Sequence, residues 1–492
     1  MLFYELLNTA LANCDFVMIS DAARNFEVAS VVCYSKAAET NSIFIAIAGA
    51  SYNGSLYAFE AVQNGAKAII TDQRADIPAL LSLEANVILV ESSAKAFALL
   101  SRQLHSIPDR TLSLFGVTGT NGKTSTAWMI AGLLTACSIP AAFVGTLGCC
   151  FKDKWLQTNN TTPDSGLLYA LFDTFLAEGA RAAAMEVSSH ALAQNRVYGM
   201  SFEVGVFTNL TRDHLDYHRT MERYGAAKAQ LFEQCRVGIF NRDDPFGATL
   251  ARTVPCKVLT CSLIPDEADY TARILAESME GTHFEWRLPD GRCFEAHTAT
   301  PGSFNVQNAL EALAATAEYG LPPEQLCRAL PALLPVPGRF EKIPNACGIH
   351  VIVDYAHTPD GMEKLLVSLK ALTKGRLITV FGCGGNRDVP KRYMMGHLSG
   401  KLGDYTVLTS DNPRTENEFD IVQACIQGCE QANGTYTVIL DREAAITHAV
   451  LMASPGDTVA IMGKGHERYQ LIDGLKFPFD DRVAALNALK QK

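Results

Sequence analysis

The sequence predicts an α/β protein of three domains, each built on a parallel or largely parallel sheet. Its 492 residues correspond to about three domains at roughly 150 residues each. Hydrophobic residues make up 48% and charged residues 19%, which supplies large cores and excludes a disordered chain. Along the chain, short apolar runs alternate with helical patterns, an order that is typical of parallel α/β sheets.

Composition also excludes some classes of protein. The 42 Lys and Arg against 52 Asp and Glu give a net charge of −10, whereas nucleic-acid coating needs many uncompensated cations. The fourteen cysteines include no CxxC pair, which favours reduced thiols packed as small apolar residues. No basic residue precedes Arg24, so the N-terminus does not resemble a secretory signal. We therefore expect a soluble, cytoplasmic protein without stable membrane insertion.

One uncharged segment, 125–151, is long enough to raise the question of a membrane span. It is interrupted by Gly132, Pro140, Gly145 and Gly148. A membrane helix needs about 20 predominantly apolar residues in sequence. The segment is better explained as a buried helix followed by a buried strand.

Residues 1–107 form the predicted N-terminal domain. Apolar runs predict three strands, at 42–49, 66–72 and 86–91. A helical pattern at 55–64 lies between the first two of these strands. A further helix extends to about residue 105. The polar stretch 105–109, which contains Pro108, indicates a linker to the next domain.

Residues 108–337 form the predicted central domain. Its first strand, at 111–119, leads into a glycine-rich loop. Further strands are expected at 181–190, 203–210 and 236–244, and one long helix at 304–319. Alternating polar and apolar residues near 268–300 predict an antiparallel extension of the sheet. Three prolines between 331 and 337 mark the end of this domain.

The loop Gly116–Thr124 carries the clearest chemical signal. A glycine-rich turn between a strand and a helix exposes backbone N–H groups to an anion, and the helix N-terminus adds its dipole. Lys123 adds a point charge and Thr124 a hydroxyl group for Mg²⁺. Val117 stands where the strict phosphate-loop expression has glycine. The alternative is an ordinary turn between a strand and a helix. The strand before this loop and the helix after it favour a phosphate loop.

Potential metal ligands follow in the same domain. Glu186 ends an apolar strand, where packing explains a carboxylate poorly, and 213–218 concentrates acids and imidazoles. Oxygen donors with an occasional imidazole suit Mg²⁺. Zinc is less well supported, because no thiol or third histidine completes a tetrahedron in the sequence nearby. The histidines could equally belong to a solvated polar loop.

Residues 338–492 form the predicted C-terminal domain, in which strands and helices alternate most regularly. Five apolar runs predict a doubly wound, Rossmann-like sheet: IHVIVDYAH, RLITVFGCGG, DYTVLTSD, YTVILD and DTVAIMGKG. Ligands of such sheets bind beyond the carboxyl ends of the strands.

Charged loops follow three of these strands and should share one rim. They are Gly382–Arg387, Ser410–Arg414 and Gly463–Glu467. Arg387 and Arg414 can each bind a carboxylate through two hydrogen bonds, and Glu467 can bind an ammonium group. A rim of this kind suits a zwitterionic substrate with several carboxylates. The alternative is a set of unrelated surface charges.

Together these segments resemble the Mur ligase family across nearly the whole chain. The matching segments are TGTNGKT (118–124), TTPD (161–164), MEVSSHALAQNR (185–196), TNLTRDHLDYH (208–218), AAKAQLF (226–232), PGSFNVQN (301–308), GRFE (338–341), VDYAHTPD (353–360), GCGGNR (382–387), DNPR (411–414) and GKGHE (463–467).

The resemblance implies the activity and its substrates. It implies a monomeric, ATP- and Mg²⁺-dependent ligase that adds meso-2,6-diaminopimelate to UDP-N-acetylmuramoyl-L-alanyl-D-glutamate through an acyl phosphate, in peptidoglycan precursor synthesis. The three domains would bind the UDP-sugar, ATP and the amino acid, in that order. Small molecules are the expected partners, and no nucleic acid is expected.

The resemblance also implies residue roles for catalysis and nucleotide binding. The implied catalytic and metal-binding residues are Lys123, Thr124, Glu186, His214 and Lys228, the last as a carbamate. The implied ATP-binding residues are Gly119, Thr120, Asn121, Gly122, Lys123, Thr124, Ser125, Asn305, Arg339 and Asp354. The contacts of Arg339 and Asp354 would require the third domain to close over the second.

The remaining implied contacts concern the other two substrates. Those for the UDP-sugar-peptide are Ser35, Ala50, Ser51, Tyr52, Thr161, Thr162, Ser188, Gln194 and Arg196. Those for diaminopimelate are Arg387, Asp411, Asn412, Pro413, Arg414, Gly463 and Glu467. The family's usual Asp-Ser-Arg is Tyr34-Ser35-Lys36 here, and Lys cannot reproduce the guanidinium fork of Arg.

Two alternatives stay open from the sequence. One is a sibling ligase with another substrate, such as L-lysine, lanthionine or a folylpolyglutamate. The other is a phosphate-loop ATPase or switch whose C-terminal domain binds a partner, which leaves the charged rim unexplained. A dinucleotide oxidoreductase is weaker, because GCGGNR lacks the GxGxxG spacing.

Overall fold

The computed structural model describes residues 1–49 and 53–492. The expected uridine-side residues Ala50, Ser51 and Tyr52 lie outside the described residues. The remainder forms three α/β regions, each with its own sheet. The predicted fold class is therefore confirmed.

The first sheet has five strands in the order β1-β5-β4-β3-β2, with β1 antiparallel to its neighbour. Its strands are β1 (Phe16–Asp21), β2 (Ser30–Val32), β3 (Ser42–Ala46), β4 (Ala68–Thr71) and β5 (Asn86–Val90). Its helices are α1 (Phe3–Ala10), α2 (Ala58–Gln63), α3 (Ile77–Leu80) and α4 (Ser93–Leu104). Side chains alternate along each strand, so Ile43 and Phe44 pack into separate apolar layers on opposite faces.

The central sheet has eleven strands in the order β16-β15-β14-β13-β12-β11-β6-β10-β7-β8-β9. Its strands are β6 (Ser113–Thr118), β7 (Ala141–Gly145), β8 (Gly148–Phe151), β9 (Lys154–Leu156), β10 (Ala182–Glu186), β11 (Phe202–Phe207), β12 (Cys235–Asn241), β13 (Lys257–Ser262), β14 (Tyr270–Ser278), β15 (Gly281–Arg287) and β16 (Cys293–Thr298). The helices are α5 (Lys123–Ala136), α6 (Ser165–Ala177), α7 (Ser189–Ala193), α8 (Leu215–His218), α9 (Met221–Ala229), α10 (Pro245–Leu250), α11 (Ser303–Glu318) and α12 (Pro323–Ala329).

Two expectations for this region are confirmed. The uncharged segment 125–151 forms most of the buried helix α5 and then the strands β7 and β8. The predicted extension near 268–300 forms β14, β15 and β16, with β15 antiparallel to both neighbours.

The third sheet has six strands in the order β17-β18-β22-β19-β20-β21, all parallel except β17. Its strands are β17 (Glu341–Lys342), β18 (His350–Asp354), β19 (Leu377–Phe381), β20 (Tyr405–Leu408), β21 (Tyr436–Val438) and β22 (Thr458–Met462), followed by the hairpin β23 (Tyr469–Ile472) and β24 (Leu475–Pro478). Its helices are α13 (Pro359–Leu372), α14 (Pro390–Leu402), α15 (Glu418–Gln431), α16 (Arg442–Met452) and α17 (Asp481–Leu489). All five predicted strands are present.

The second and third regions touch across the loops that follow their strands. Asn121, in the loop after β6, donates from Nδ2 to Asp360 Oδ2 at 2.8 Å, and Asp360 belongs to α13 of the third region. The carboxyl ends of the central strands of both sheets therefore face a shared cleft. Among the described residues, no helix combines the length and apolar character needed to cross a membrane.

Candidate functional site

The glycine-rich loop after β6 leads directly into α5, as predicted. Gly119 has φ of +149° and Gly122 has φ of +88°, conformations that L side chains rarely adopt. A Cβ at Gly119 would lie 1.9 Å from Thr208 Oγ1, and one at Gly122 would lie 2.4 Å from Asn308 Oδ1. Both glycines are therefore required by conformation and by space.

The segment after β11 holds this loop in place. Asn209 accepts the Thr120 N–H through its carbonyl at 2.8 Å and the Asn121 N–H through Oδ1 at 2.9 Å. Thr208 Oγ1 donates to the Asn121 carbonyl at 2.6 Å. The loop conformation is thus set by a segment about 90 residues away, before any anion binds.

Two lysines converge on this loop. Lys123 Nζ donates to the carbonyls of Gly119 and Thr120 at 2.9 and 2.8 Å. Lys228, on α9, is 1% exposed and donates to the Gly119 carbonyl at 2.6 Å. Burial, reinforced by the charge of Lys123, holds the pKa of Lys228 well below its ordinary value. Lys228 is therefore a buried side chain whose neutral, nucleophilic form is favoured by its surroundings, not the surface residue its sequence suggests.

Glu186 ends β10 beside the same loop. It is 1% exposed, its Oε1 accepts the Thr146 N–H at 2.7 Å, and its Oε2 accepts the Thr146 hydroxyl at 3.2 Å. The negative charge of Glu186 raises the pKa of Lys123, partly opposing the larger effect of burial. A buried carboxylate beside a phosphate-binding lysine is the arrangement expected for a metal-assisted phosphate site.

A cluster of imidazoles lies at the start of α8 and α9. His214 has φ of +54°, and its ring centroid is 4.9 Å from that of His190 and 6.1 Å from that of Tyr224. Burial lowers the pKa of His214 to about 4, so its imidazole is neutral at physiological pH. His218 Nε2 is instead 2.9 Å from Ser189 Oγ and is engaged within the protein.

The donor set around the loop fits Mg²⁺ in chemistry. Thr124 offers a hydroxyl, Glu186 a carboxylate and His214 a neutral imidazole, which are donors that a hard cation accepts. In residues 1–49 and 53–492, no three His, Cys, Asp or Glu side chains converge as a metal-binding group. A Mg²⁺ ion here would therefore need further oxygen ligands from outside these three side chains.

A cleft of about 240 Å³ extends from the loop to the boundary of the third region. Of the expected nucleotide residues, those that line it are Asn121, Gly122, Ser125, Asn305, Arg339 and Asp354. Arg339 Nη2 donates to Thr124 Oγ1 at 3.1 Å, and its guanidinium lies 4.4 Å from the centre of the Tyr355 ring. The Asp354 carboxylate accepts the N–H groups of Phe340 and Ala356 at 2.6 and 2.7 Å. Arg339 thus spans the boundary between the two regions.

A second, larger cleft of about 1020 Å³ collects the three charged loops of the third region. The predicted rim residues that line it are Arg387, Asp411, Asn412, Arg414, Gly463 and Glu467. Arg414 is held by its Nη1, which donates to the Gly385 carbonyl at 2.6 Å. Pro413 is buried, and its carbonyl packs against Gly385. His214 and Asp213 line the same cleft, so the rim faces the polar segment before α8 in the central region.

The structure modifies one expectation at this rim. Glu467 is already engaged, because its Oε2 accepts from Lys464 Nζ at 3.1 Å and from Asn412 Nδ2 at 2.9 Å. Lys464 is fully buried and also donates to Asn412 Oδ1 at 3.0 Å. An ammonium group of a substrate would therefore share this carboxylate with Lys464.

Arg442, at the first turn of α16, was not identified from the sequence. Its side chain is fully buried against Asp481, with Nε–Oδ1 and Nη2–Oδ2 distances of 2.7 and 2.8 Å. It also donates to the carbonyls of Ser410 and Met462 at 3.2 and 3.0 Å. Ser410 is the first residue of one rim loop, and Met462 immediately precedes another. Only the Asp-Arg pair at 441–442, at a helix start, marks it in the sequence.

The residues expected to bind the sugar-peptide converge beside Glu186. Thr162 Oγ1 donates to the Glu186 carbonyl at 2.9 Å and accepts the Ser188 N–H at 3.0 Å. Arg196 donates from Nη1 to the Thr162 carbonyl at 2.7 Å and from Nη2 to Gln194 Oε1 at 2.7 Å. The Thr146 and Thr161 hydroxyl oxygens are 3.1 Å apart.

Ser35 belongs to a different part of the molecule. It is buried in the first region, where its hydroxyl donates to Glu60 Oε2 at 2.5 Å. A ligand at this position would meet a hydroxyl group that is already engaged.

Family models match most of the chain. A "Mur ligase family, catalytic domain" model matches residues 27–105, a "Mur ligase middle domain" model matches 117–316, and a "Mur ligase, glutamate ligase domain" model matches 338–465.

Individual proteins match over nearly the full length. The UDP-N-acetylmuramoyl-L-alanyl-D-glutamate–2,6-diaminopimelate ligase of Caldanaerobacter subterraneus subsp. tengcongensis is 40% identical over 92% of this chain and 93% of its own. Ligase 2 of the same description from Clostridium acetobutylicum is 38% identical over 97% and 98%. A solved structure of a ligase of this description is 33% identical with a TM-score of 0.68, covering 96% of this chain and 99% of its own. MurF from Acinetobacter baumannii shares the fold alone, at 15% identity and a TM-score of 0.66 over 99% and 98%.

Proposed function

The chain belongs to the Mur ligase family of ATP-dependent amide ligases, and on that premise we propose that it joins meso-2,6-diaminopimelate to the D-glutamate of UDP-N-acetylmuramoyl-L-alanyl-D-glutamate. The relatives at 38–40% identity are ligases of that description. The observation that best supports this proposal is the position of Arg414 in the large cleft that Asp213 and His214 also line. A guanidinium there suits the distal carboxylate that distinguishes diaminopimelate from lysine.

The proposed reaction makes the D-glutamate carboxylate reactive by phosphorylation. A carboxylate oxygen attacks the γ-phosphorus of ATP, ADP leaves, and an acyl phosphate remains on the substrate. The amine of the incoming amino acid then attacks the acyl carbon, and the tetrahedral intermediate loses inorganic phosphate to leave an amide. Because a carboxylate and an amine do not condense unaided in water, the phosphate supplies the leaving group.

Residues of the loop would bind the phosphates. Lys123 now donates to the Gly119 and Thr120 carbonyls, and in the complex it would transfer those hydrogen bonds to phosphate oxygens. The N–H groups at 119–125 would surround the same charge at the start of α5. Asn305, Arg339 and Asp354 would contact the nucleoside from the walls of the smaller cleft.

Mg²⁺ would be held by Thr124, Glu186, His214 and the carbamate of Lys228. When bound, it would neutralise charge on the transferring phosphoryl group. The lowered pKa of Lys228 supports carbamate formation, since it favours the neutral amine that adds CO₂. Addition of CO₂ to that amine, with loss of one proton, would place an anion beside Lys123.

Substrate positions follow from the same arrangement. Thr161, Thr162, Ser188, Gln194 and Arg196 would bind the sugar-peptide, with Ser35 and 50–52 on its uridine side. Arg387, the loop Asp411–Arg414, Gly463 and Glu467 would bind the amino acid. We propose domain limits at 1–107, 108–337 and 338–492, with one chain sufficient as a monomer in the cytoplasm, where ATP and the UDP-linked substrate are available.

The test is phosphate release from Mg-ATP and the UDP-dipeptide, with meso-diaminopimelate, L-lysine, lanthionine or no amino acid. The product is weighed by mass spectrometry. Release with a tripeptide product only in the presence of diaminopimelate supports the proposal. Equal activity with lysine would retain the ligase and contradict the role of Arg414, and release without any amino acid would favour the ATPase alternative.

A further inference from the structure

The smaller cleft contains an acid and an amide for which the proposed reaction has no use. Gln307 and Glu311 lie one turn apart on α11, so their side chains share one face of the helix. Glu311 is fully buried and Gln307 is 9% exposed, yet both line the same cleft as Gly122, Asn305 and Asp354. A buried acid in a nucleotide-sized cleft requires an explanation beyond packing.

The two side chains are joined to each other but leave two oxygens unpaired. Gln307 Nε2 donates to Glu311 Oε1 at 3.0 Å. Within the described part of the chain, Gln307 Oε1 and Glu311 Oε2 are both buried and have no hydrogen-bond partner within 3.5 Å. Thr126 faces them from α5, and its hydroxyl donates to Asn308 Oδ1 at 3.5 Å. Buried polar atoms are nearly always paired in folded proteins, so these two oxygens await a ligand.

The charge state of the pair depends on its surroundings. Burial raises the pKa of Glu311 to about 8, although hydrogen bonding with Gln307 and Thr126 lowers it in part. Nearby Asp243 raises it further and Lys364 lowers it. Cys261 is the other titratable group close to this carboxyl. At neutral pH the carboxyl group therefore carries a proton. It then offers one O–H donor next to the acceptor oxygen of Gln307.

A donor beside an acceptor is the complement of the adenine edge. Adenine presents an amino N–H beside a ring nitrogen that accepts, whereas guanine presents a carbonyl oxygen in place of that amino group. We propose that Gln307 and Glu311 recognise the base of the nucleotide, Gln307 Oε1 accepting from the 6-amino group and the Glu311 carboxyl donating to a ring nitrogen. The pair thereby selects 6-aminopurine over 6-oxopurine triphosphates. This inference rests on the nucleotide site proposed above.

The direct test removes the proposed hydrogen bonds in two ways, by changing the base of the nucleotide and by substituting Gln307 or Glu311 in the protein. ATP, GTP and purine riboside triphosphate, which lacks the 6-amino group, are compared by kcat/KM and by calorimetric Kd. In the unmodified protein we expect ATP to be favoured over purine riboside triphosphate by about 10- to 100-fold, since a buried acceptor loses its partner. In Gln307→Leu and Glu311→Met this ratio should fall below about threefold.

A matched control is available on the same helix. Glu318 lies at the end of α11, pairs with Lys257 at 2.8 Å and does not line the cleft. Glu318→Gln should keep the full preference for ATP. An unchanged ratio of ATP to purine riboside triphosphate in folded Gln307→Leu and Glu311→Met protein would overturn the inference.

A second variant addresses the case in which Glu311→Met does not fold. Glu311→Gln keeps the shape and an N–H donor but cannot ionise. In the unmodified protein the Kd for ATP should rise as pH passes about 8, and in Glu311→Gln that rise should vanish. A rise that persists in Glu311→Gln would assign it to another group and contradict the role of the Glu311 proton.

The outcome also separates this inference from the proposed ligase. Lys123→Met should weaken the binding of ATP and of purine riboside triphosphate by the same factor, so the ratio of the two Kd values should not change. If no amino acid supports phosphate release, calorimetric binding of the two triphosphates still measures the base preference. Failure of the ligase and failure of base recognition are thus distinct results.

Discussion

The side-chain nitrogens of Lys123 and Lys228 both donate to the carbonyl oxygen of Gly119, at 2.9 and 2.6 Å. Burial lowers the pKa of both lysines, and the positive charge of Lys123 lowers the pKa of Lys228 further. The unfavourable interaction between the two lysine side chains would be relieved if the phosphates drew Lys123 away and Lys228 became a carbamate. We therefore expect nucleotide binding and the proposed modification of Lys228 to be coupled.

The first prediction concerns CO₂. Because carbamate formation needs a neutral amine and CO₂, ligase activity should fall in CO₂-depleted buffer and return when bicarbonate is added. With ¹³C-labelled bicarbonate, NMR should show a carbamate resonance in the unmodified protein and none in Lys228→Met, whose kcat should fall at least about 100-fold. The exposed Lys95→Met serves as the control. A carbamate resonance that survives Lys228→Met would assign the signal to another lysine.

The second prediction concerns the distal carboxylate of the amino acid. Arg414→Lys keeps a positive charge but loses the planar fork, so the KM for diaminopimelate should rise about 10- to 100-fold while the KM for ATP changes less than about twofold. Steady-state kinetics with each substrate varied in turn measures both. The exposed Arg292→Lys should change neither constant. Equal increases in both KM values would indicate general damage instead of a specific contact.

The third prediction concerns Arg442, which we propose positions the rim loops through the Ser410 and Met462 carbonyls. Breaking its buried pair with Asp481 in Arg442→Met should destabilise the third region by about 3–5 kcal/mol. Arg442→Lys, which retains charge without the fork, should raise the KM for the amino acid about tenfold and leave the KM for the UDP-dipeptide unchanged.

The control for Arg442 lies at the opposite end of the same sheet. Arg376 pairs there with Asp457 at 2.8 Å and is 44% exposed. Arg376→Lys should leave the KM for the amino acid within about twofold. Identical effects of the two substitutions on that constant would show that Arg442 acts only through stability.

The fourth prediction concerns stability and pH. The folded-state pKa of Glu311 is about 8, whereas an unfolded glutamate titrates near its ordinary value of about 4.3. Between these values the folded state binds the proton and the unfolded state does not, so stability falls by about 1.4 kcal/mol per pH unit as pH rises. Glu311→Gln should remove that slope and gain stability relative to the unmodified protein up to about pH 8.

Tryptophan fluorescence suits the measurement, because Trp128, Trp155 and Trp286 all lie in the central region. Denaturant unfolding at pH 5, 6, 7 and 8 gives the difference between the two proteins. Glu318→Gln on the same helix should leave the slope unchanged. A difference that does not grow with pH would mean that Glu311 is ionised in the folded state.

The sequence by itself determined the features that depend on local pattern. Apolar runs of strand length located β3, β4, β5 and the five strands β18 to β22, because strand formation follows the alternation of side chains between two buried faces. The loop before α5 was recognisable because a strand, glycines and Lys123 are contiguous. The convergence of Arg387 and Arg414 also followed, since the carboxyl ends of parallel strands share one edge.

Only the tertiary structure decided the features that depend on which side chains are buried together. Lys228 has the sequence context of a surface helix residue, and its lowered pKa arises from burial and from the charge of Lys123, more than 100 residues away. Arg442 and Asp481 pair across 39 residues. Among the described residues, tertiary packing leaves one oxygen each of Gln307 and Glu311 buried without a hydrogen-bond partner within 3.5 Å, which is the basis of their proposed role in base recognition. Desolvation is a property of the folded surroundings of a group, and no local pattern of residues encodes it.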